Sequence, residues 1–182
     1  MSYLRFAIKL VIALFLIGTF ILLLFYFTGS SKVAVAGYAF LVTSVVISWA
    51  FIAVVLVTFV RRKISMVEAL KILAVILANI PIGIFYTYLV VLLLGYARIT
   101  FTNTTGEDLG VIKIHGCEEK EIPMLKQGDS QTVWIKISGD CKIDIAYHLK
   151  GKAKLETVAA YLTQSNGVKA VYEIGSDKDI FD

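Results

Sequence analysis

The sequence predicts a membrane protein with two parts: an α-helical bundle of three transmembrane helices, then a small extracytoplasmic all-β domain with a sandwich-like fold. Of the 182 residues, 58% are hydrophobic, and the mean hydropathy of +0.78 exceeds what a soluble core requires. Nearly all of this apolar excess precedes residue 97, whereas apolar and polar residues alternate afterwards. We therefore assign residues 1–97 to a transmembrane domain and residues 98–182 to a β domain.

Three apolar segments are long enough to cross a bilayer, at residues 6–27, 33–60 and 72–94. Helices are favoured in each segment because lipid offers the backbone no hydrogen-bond partner. A cleaved signal peptide is an alternative for the first segment, since Arg5 and Lys9 precede its uncharged apolar stretch. That segment is, however, longer than a usual signal core, and no Ala-x-Ala-like site follows it.

The basic residues of the short connections predict the orientation. The predicted loop 61–71 carries four of them, whereas the first connection carries only Lys32. By the positive-inside rule, loop 61–71 is cytoplasmic, the N-terminus is cytoplasmic, and the β domain lies in the periplasm or outside the cell. The predicted location is the inner (plasma) membrane. The four topology determinants are Arg61, Arg62, Lys63 and Lys71.

Small and polar residues recur at helical spacing within the spans, which predicts close packing between helices. A proline in the third span frees a carbonyl and can kink the helix, while a nearby asparagine can bond across an interface. The spans carry no ionisable side chain deep in the hydrocarbon, which argues against a pump or transporter. The predicted packing residues are Ser44, Ser48, Ala74, Ala78, Asn79 and Pro81.

Alternation of apolar and polar residues predicts half-buried strands in the second half of the chain, for example at residues 99–102, 133–138 and 143–150. Turn residues separate these segments roughly every 8 to 12 residues, as in β-sandwiches. Six or seven strands are expected. Residues 153–162 fit both a strand and a helical face, and the sequence leaves this segment open.

Cys117 and Cys141 are the two cysteines of the chain, and the topology places both outside the cytoplasm. They are predicted to form a disulfide because such compartments are oxidising. The bond would stabilise the domain by about 3.5 kcal/mol on the chain-entropy model.

The two histidines, His115 and His148, lie close to the cysteines in sequence and offer an alternative: a copper or zinc chaperone at the membrane surface. Strand alternation argues against a four-ligand site, because it directs His148 to the face opposite Cys141. The spacing also matches no common zinc-finger pattern. We predict no metal site and no cofactor.

The sequence contains no nucleophile elbow, phosphate-binding loop or metalloprotease motif, so we predict no catalytic residues and no enzymatic activity. The basic pI does not indicate a nucleic-acid partner, because the excess of positive charge lies in the transmembrane half and follows from topology. A membrane enzyme or carrier, with a site between the spans and the domain, is a further alternative.

The favoured hypothesis is a non-enzymatic membrane protein, embedded in the lipid bilayer, whose external β domain binds another membrane or periplasmic protein. An accessory subunit of a membrane complex and an immunity-type protector both fit this description. Recognition is expected at exposed sheet edges, at the solvent faces of strands and at loops 104–110 and 116–121.

Overall fold

The computed structural model describes residues 3–165, 167–176 and 178–181. The predicted domains also include Met1, Ser2, Asn166, Asp177 and Asp182, which lie outside the described residues. The helices are α1 (Tyr3–Thr28), α2 (Ser31–Val60), α3 (Met66–Leu77) and α4 (Asn79–Leu94). The strands are β1 (Tyr96–Asn103), β2 (Ile112–Gly116), β3 (Lys120–Ile122), β4 (Ser130–Lys136), β5 (Cys141–Leu149), β6 (Lys152–Leu162) and β7 (Lys169–Ile174).

The chain divides into two compact units, Met1–Val90 and Val91–Asp182, which we call the helical unit and the β unit. The prediction of a helical N-terminal part followed by a separate β domain is confirmed at this level. The last turn of α4 belongs to the β unit, because β1 begins only two residues after Leu94 and holds that turn close.

Three helical stretches are long and apolar enough to cross a membrane: Tyr3–Thr28, Ser31–Val60 and Met66–Leu94. At 26, 30 and 29 residues, each exceeds the roughly 20 residues that a span needs. Large apolar side chains are exposed along the length of these helices. Phe20, for example, is 66% exposed and Trp49 is 68% exposed.

The third stretch begins earlier than predicted, which corrects the loop assigned to residues 61–71. The connection covers only residues 61–65, and Lys71 lies within α3. The hydropathy pattern did not predict the first turn of α3 because that turn contains charged residues. Ser65 caps the helix there: its hydroxyl accepts a hydrogen bond from the Glu68 amide at 3.2 Å.

The helical unit has a small internal core, formed where α1, α2 and α3 meet around Ala7, Val55 and Ile72. A second contact joins α1 to α4. A Cβ built on Gly18 would lie 3.0 Å from the ring of Tyr86, and the Tyr86 hydroxyl is hydrogen-bonded to Thr19 at 2.5 Å. A small residue and a hydroxyl pair therefore join two apolar helices, as expected in membrane bundles.

The β unit contains two sheets. One has the strand order β4-β1-β7, with β1 antiparallel to β4 and parallel to β7. The other is antiparallel, with the order β3-β2-β5-β6. Residues 153–162, which the sequence left open, lie in strand β6.

Side chains from both sheets enter one buried cluster. Phe101 and Tyr172 come from the three-stranded sheet, and Ile114, Ile145 and Val158 come from the four-stranded sheet. Buried and exposed residues alternate along β7 in particular, as a half-buried strand requires. This shared core fixes the register of both sheets.

One end of the β unit is joined to the last turn of α4. The Ile137 amide donates to the Gly95 carbonyl at 2.9 Å. A Cβ on Gly167 would lie 2.5 Å from the Leu93 carbonyl oxygen, so glycine is required where the chain approaches this turn. We call this the proximal end of the β unit, and the opposite end, which contains loop 104–110, the distal end.

Candidate functional site

Cys117 and Cys141 form a disulfide, with their Cα atoms 5.2 Å apart, so the predicted bond is confirmed. It joins the end of the β2 segment to the start of β5. Gly116 precedes Cys117 with a φ of +116°, and a Cβ there would lie 1.9 Å from the Lys142 carbonyl oxygen. A glycine at this position lets the two strands approach closely enough for the sulfurs to bond.

The four residues considered for a metal site do not converge. The two sulfurs are bonded to each other, and the His115 ring is held by Glu119 at 2.6 Å. His115 is paired with Asp144 across the ladder, which places it about 13 Å along β5 from His148. Within the described part of the chain, no three His, Cys, Asp or Glu side chains are grouped to hold a metal ion.

Glu156 is a buried carboxylate that links the two sheets. It accepts hydrogen bonds from the Tyr172 hydroxyl at 3.0 Å and from the Gly175 amide at 3.2 Å. The Tyr147 hydroxyl donates to its other oxygen. Since Tyr147 belongs to the four-stranded sheet and Tyr172 to the three-stranded sheet, this group has a structural role: its oxygens are occupied by donors from the fold itself.

The proximal part of the β4 edge is covered by side chains from the segment 118–120, where β3 begins. Glu118 accepts a hydrogen bond from the Lys136 amide at 2.7 Å, and Lys120 donates to the Trp134 carbonyl. The hydrogen bond from the Lys136 amide, assisted by Lys120, lowers the pKa of Glu118 below its ordinary value. Such a cover prevents another strand from pairing with residues 134–136 of this edge.

The edge of β6 is covered in part by the C-terminal segment 178–181. The Ile180 amide donates to the Val158 carbonyl at 3.0 Å, and the Ala160 amide donates to Asp179 at 2.7 Å. Near the proximal end of β6, a hydrogen bond to Asp140 raises the pKa of the Tyr161 hydroxyl above its ordinary value.

The edge of β7 is different. The Arg98 amide donates to the Val168 carbonyl at 2.7 Å, and the alternation of a parallel ladder then turns the backbone N–H and C=O of Val171 away from β1. The Val171 side chain is 65% exposed. Among the described residues, β7 pairs in a ladder with β1 alone. This edge is the strongest candidate for pairing with an extended segment of another protein.

The outer face of the three-stranded sheet has a graded composition. At its proximal end, the rings of Tyr96 and Trp134 are 5.9 Å apart, and the Arg98 guanidinium lies 5.6 Å from the centre of the Trp134 ring. Farther along, Thr100 and Thr132 share a hydrogen bond of 2.8 Å. Basic and aromatic side chains therefore give way to hydroxyl groups toward the distal end.

The two loops expected to carry recognition lie at opposite ends of the β unit. Loop 116–121 is at the proximal end, because the Lys136 amide bonds to Glu118. Loop 104–110 is at the distal end, where the side-chain amide of Asn103 donates to the Glu107 carbonyl at 2.7 Å. With β1 between them, about 23 Å separates the loops, so one small contact surface does not include both.

The predicted helix-packing residues are distributed as follows. The Ser44 and Ser48 hydroxyls donate to carbonyls of their own helix, those of Leu41 and Ser44. Ala74, Ala78 and Pro81 are exposed in this chain. The helix is interrupted at Ala78, between α3 and α4, next to Asn79 and Pro81.

Sequence reasoning missed three groups: Glu156, the Arg98–Trp134 pair and the Thr19–Tyr86 bond. Only the second had a sequence signal, because strand alternation puts Tyr96, Arg98 and Trp134 on the polar side of their strands, and β1 follows the predicted third span. The other two depend on tertiary contacts.

No protein-family model matches the chain, and no curated protein matches it. Among solved structures, the chain is similar to one titled as an NMR structure of the protein from Eubacterium rectale, with 18% sequence identity and a TM-score of 0.35. The alignment covers 47% of this chain and 84% of that one. A likeness of this size supports no conclusion about fold or function.

Proposed function

We propose that this chain is an integral protein of the inner (plasma) membrane that crosses the bilayer three times and holds its β unit outside the cytoplasm. There the β unit, with its two sheets packed as a sandwich, binds another protein without catalysing a reaction. The partner is a membrane or periplasmic protein, and the chain acts as an accessory subunit or as an immunity-type protector.

The length and surface of the helices support membrane insertion. The shortest of the three stretches, Tyr3–Thr28, is about 39 Å long, which exceeds the ~30 Å hydrocarbon core. Side chains such as Phe20, Trp49 and Val91 are more than half exposed on helices with few charges. In water this would be an apolar patch far larger than soluble proteins carry, whereas in lipid it is the expected surface.

The charges and the disulfide support the orientation. Arg61, Arg62 and Lys63 occupy the short connection between α2 and α3, which fits the cytoplasmic side. Three spans then put the β unit on the other side. The bond between Cys117 and Cys141 agrees with that placement, since structural disulfides persist in oxidising compartments.

The edge of β7 is the observation that carries the proposed binding role. Edge strands expose a row of backbone donors and acceptors, and proteins normally cover them or shorten them. Here Glu118 and Lys120 cover β4 at residues 134–136, the C-terminal segment covers β6 at residues 158–160, and β3 is only three residues long. The backbone of β7 at Val171 instead faces outward beside an exposed apolar side chain, which suits addition of a partner strand.

Site-specific photo-crosslinking in native membranes tests this proposal. A photoreactive residue at Val171 is compared with one at Thr132, which lies in the same cross-strand row and on the same face, but at the opposite edge of the sheet. We expect a discrete adduct with one protein from position 171 and little from position 132. Equal adducts from both positions, or none from either, would contradict binding at the β7 edge.

A pair of substitutions at the same position then separates backbone pairing from side-chain contact. Val171→Pro removes the outward amide while leaving the ladder to β1 intact, whereas Val171→Thr keeps the amide and the branched shape. We expect the proline variant to lose the copurifying partner in mild detergent and the threonine variant to retain it. Equal retention by both would exclude strand addition.

A further inference from the structure

We propose that the proximal part of the outer face of the three-stranded sheet binds the anionic headgroups of the lipid leaflet from which the β unit emerges. We call this surface the headgroup face; it consists of Tyr96, Arg98, Trp134, Lys136 and Lys169. The inference rests on the membrane insertion proposed above and adds a second ligand, the phospholipid itself.

The strand register brings these five side chains together. Tyr96 is paired with Lys136, and Arg98 is paired with Trp134 on one side and Lys169 on the other. Directly paired residues project from the same face of a sheet. The core takes the alternate positions, Ala97 and Ile99, so the headgroup face is the side turned away from the core.

The chemistry of the headgroup face matches a phospholipid surface. Lys136 and Lys169 are exposed, and the ammonium group of lysine is a compact charge that phosphate groups bind. Tyr96 and Trp134 combine a flat apolar ring with one polar atom, the type of side chain that concentrates at headgroup depth. Arg98 is only 3% exposed and lies against Trp134, so it holds the indole and adds positive potential.

The position of the headgroup face along the chain brings it to the depth of the lipid headgroups. Tyr96 follows Leu94, the end of the apolar helix, by two residues, and Arg98 follows it by four. At about 3.3 Å per residue, the two rows lie within about 7 and 13 Å of the helix end, in and just above the headgroup layer. The Ile137–Gly95 hydrogen bond and the close approach of Gly167 to Leu93 hold the sheet at that end.

The charge changes sign along the same face. The row formed by Thr102, Ser130 and Glu173, about 26 Å along the chain from Leu94, carries hydroxyls and one carboxylate and no cation. Of the nearby acids of loop 116–121, Glu118 is paired with Lys120 at 3.2 Å, and Glu119 is hydrogen-bonded to the His115 ring at 2.6 Å. Positive charge is thus concentrated where a leaflet would lie.

The two tryptophans of the chain allow a test with an internal control. The full chain is reconstituted in nanodiscs of zwitterionic lipid, with or without about 30% anionic lipid, and nitroxide quenchers are placed on the headgroup or in mid-chain. Trp49→Phe leaves Trp134 as the only reporter of the headgroup face, whereas Trp134→Tyr leaves Trp49, in the middle of α2, as the reporter of insertion.

We expect headgroup quenchers to reach Trp134 when anionic lipid is present and mid-chain quenchers to reach Trp49 with either lipid. Lys136→Gln with Lys169→Gln should lower the preference of Trp134 for anionic lipid about 5-fold for each lysine removed. The matched control, Lys113→Gln with Lys154→Gln, removes the same charge from the four-stranded sheet and should change nothing. Raising the salt to about 1 M should release Trp134 but not Trp49.

The alternative results separate two failures. The headgroup inference would be overturned if Trp49 is quenched but Trp134 is not. It would also be overturned if quenching of Trp134 does not depend on lipid charge or on the lysine substitutions. Either result leaves the proposed insertion in place. A Trp49 that mid-chain quenchers do not reach would overturn the insertion, and the headgroup inference with it.

Discussion

In the helical unit, α1 buries only Ala7, Gly18 and Phe25 along its 26 residues, whereas in the β unit β1 buries most of its eight. The helices leave their large apolar side chains exposed, while the strands direct theirs into a common core reinforced by a disulfide and by Glu156. The β unit has the interior of a protein that folds in water. The helical unit has a largely apolar exposed surface, which fits the membrane insertion proposed above because lipid makes such exposure favourable.

The disulfide should produce the largest difference between the units. Cys117→Ser with Cys141→Ser removes a bond that closes a loop of about 25 residues, and the β unit should lose about 3.5 kcal/mol of unfolding free energy. Urea unfolding in detergent, followed by Trp134 fluorescence for the β unit and by helical circular dichroism for the spans, measures this. A parallel loss of helical signal would show that the units do not unfold independently.

Glu156→Ala is expected to have the next largest effect, about 3 kcal/mol on the β unit, because it removes the buried carboxylate that accepts hydrogen bonds from the Tyr147 and Tyr172 hydroxyls and the Gly175 amide. Tyr172→Phe should cost about 1 kcal/mol alone and much less when combined with Glu156→Ala. The double-mutant cycle is read from urea midpoints, and full additivity would show that the two groups act independently.

Tyr86→Phe should act on the helical unit alone and by a smaller amount. The Thr19 hydrogen bond that it removes is worth about 0.6 kcal/mol in membrane helices. Tyr88→Phe is the matched control, since Tyr88 is 61% exposed two residues away. Thermal unfolding followed by helical circular dichroism measures the difference in Tm. Equal shifts in Tm for both variants would contradict a specific hydrogen bond between α1 and α4.

The smallest expected effect is a pH dependence at the β4 edge. The folded-state pKa of Glu118 is lowered, so its contribution is fully present above its unfolded pKa, near 4.5, and is lost as the pH falls through the lower folded value. Because the Glu118 side chain is partly exposed, solvent screening limits the contribution to about 0.5 kcal/mol or less. Glu118→Gln should flatten this part of the stability profile below pH 4.5, with Glu173→Gln as the control.

The sequence predicts the features of this fold that depend on composition or local alternation. Long apolar runs predict the three spans, and alternation predicts the strands around Val133 and Ile145. The disulfide follows from having two cysteines in a domain that the predicted topology places outside the cytoplasm. None of these predictions requires knowledge of which strands are neighbours.

The features that escaped prediction depend on pairing between distant segments. Glu156 looks like an ordinary polar residue of an ambiguous segment until β5 and β7 bring two tyrosines to it. The headgroup face exists only because β4 and β7 flank β1 in one particular register. The early start of α3 was missed because the cap at Ser65 outweighs the low hydropathy of that turn.

Labelling of engineered cysteines in intact cells with a membrane-impermeant maleimide tests the proposed topology most directly. Lys154→Cys puts a thiol at an exposed position of β6, and Lys63→Cys puts one in the connection between α2 and α3. The native cysteines are bonded to each other and do not react with the maleimide. The three-span topology predicts labelling at position 154 in intact cells and at position 63 only after permeabilisation. Labelling at position 63 with protection at position 154 would contradict it.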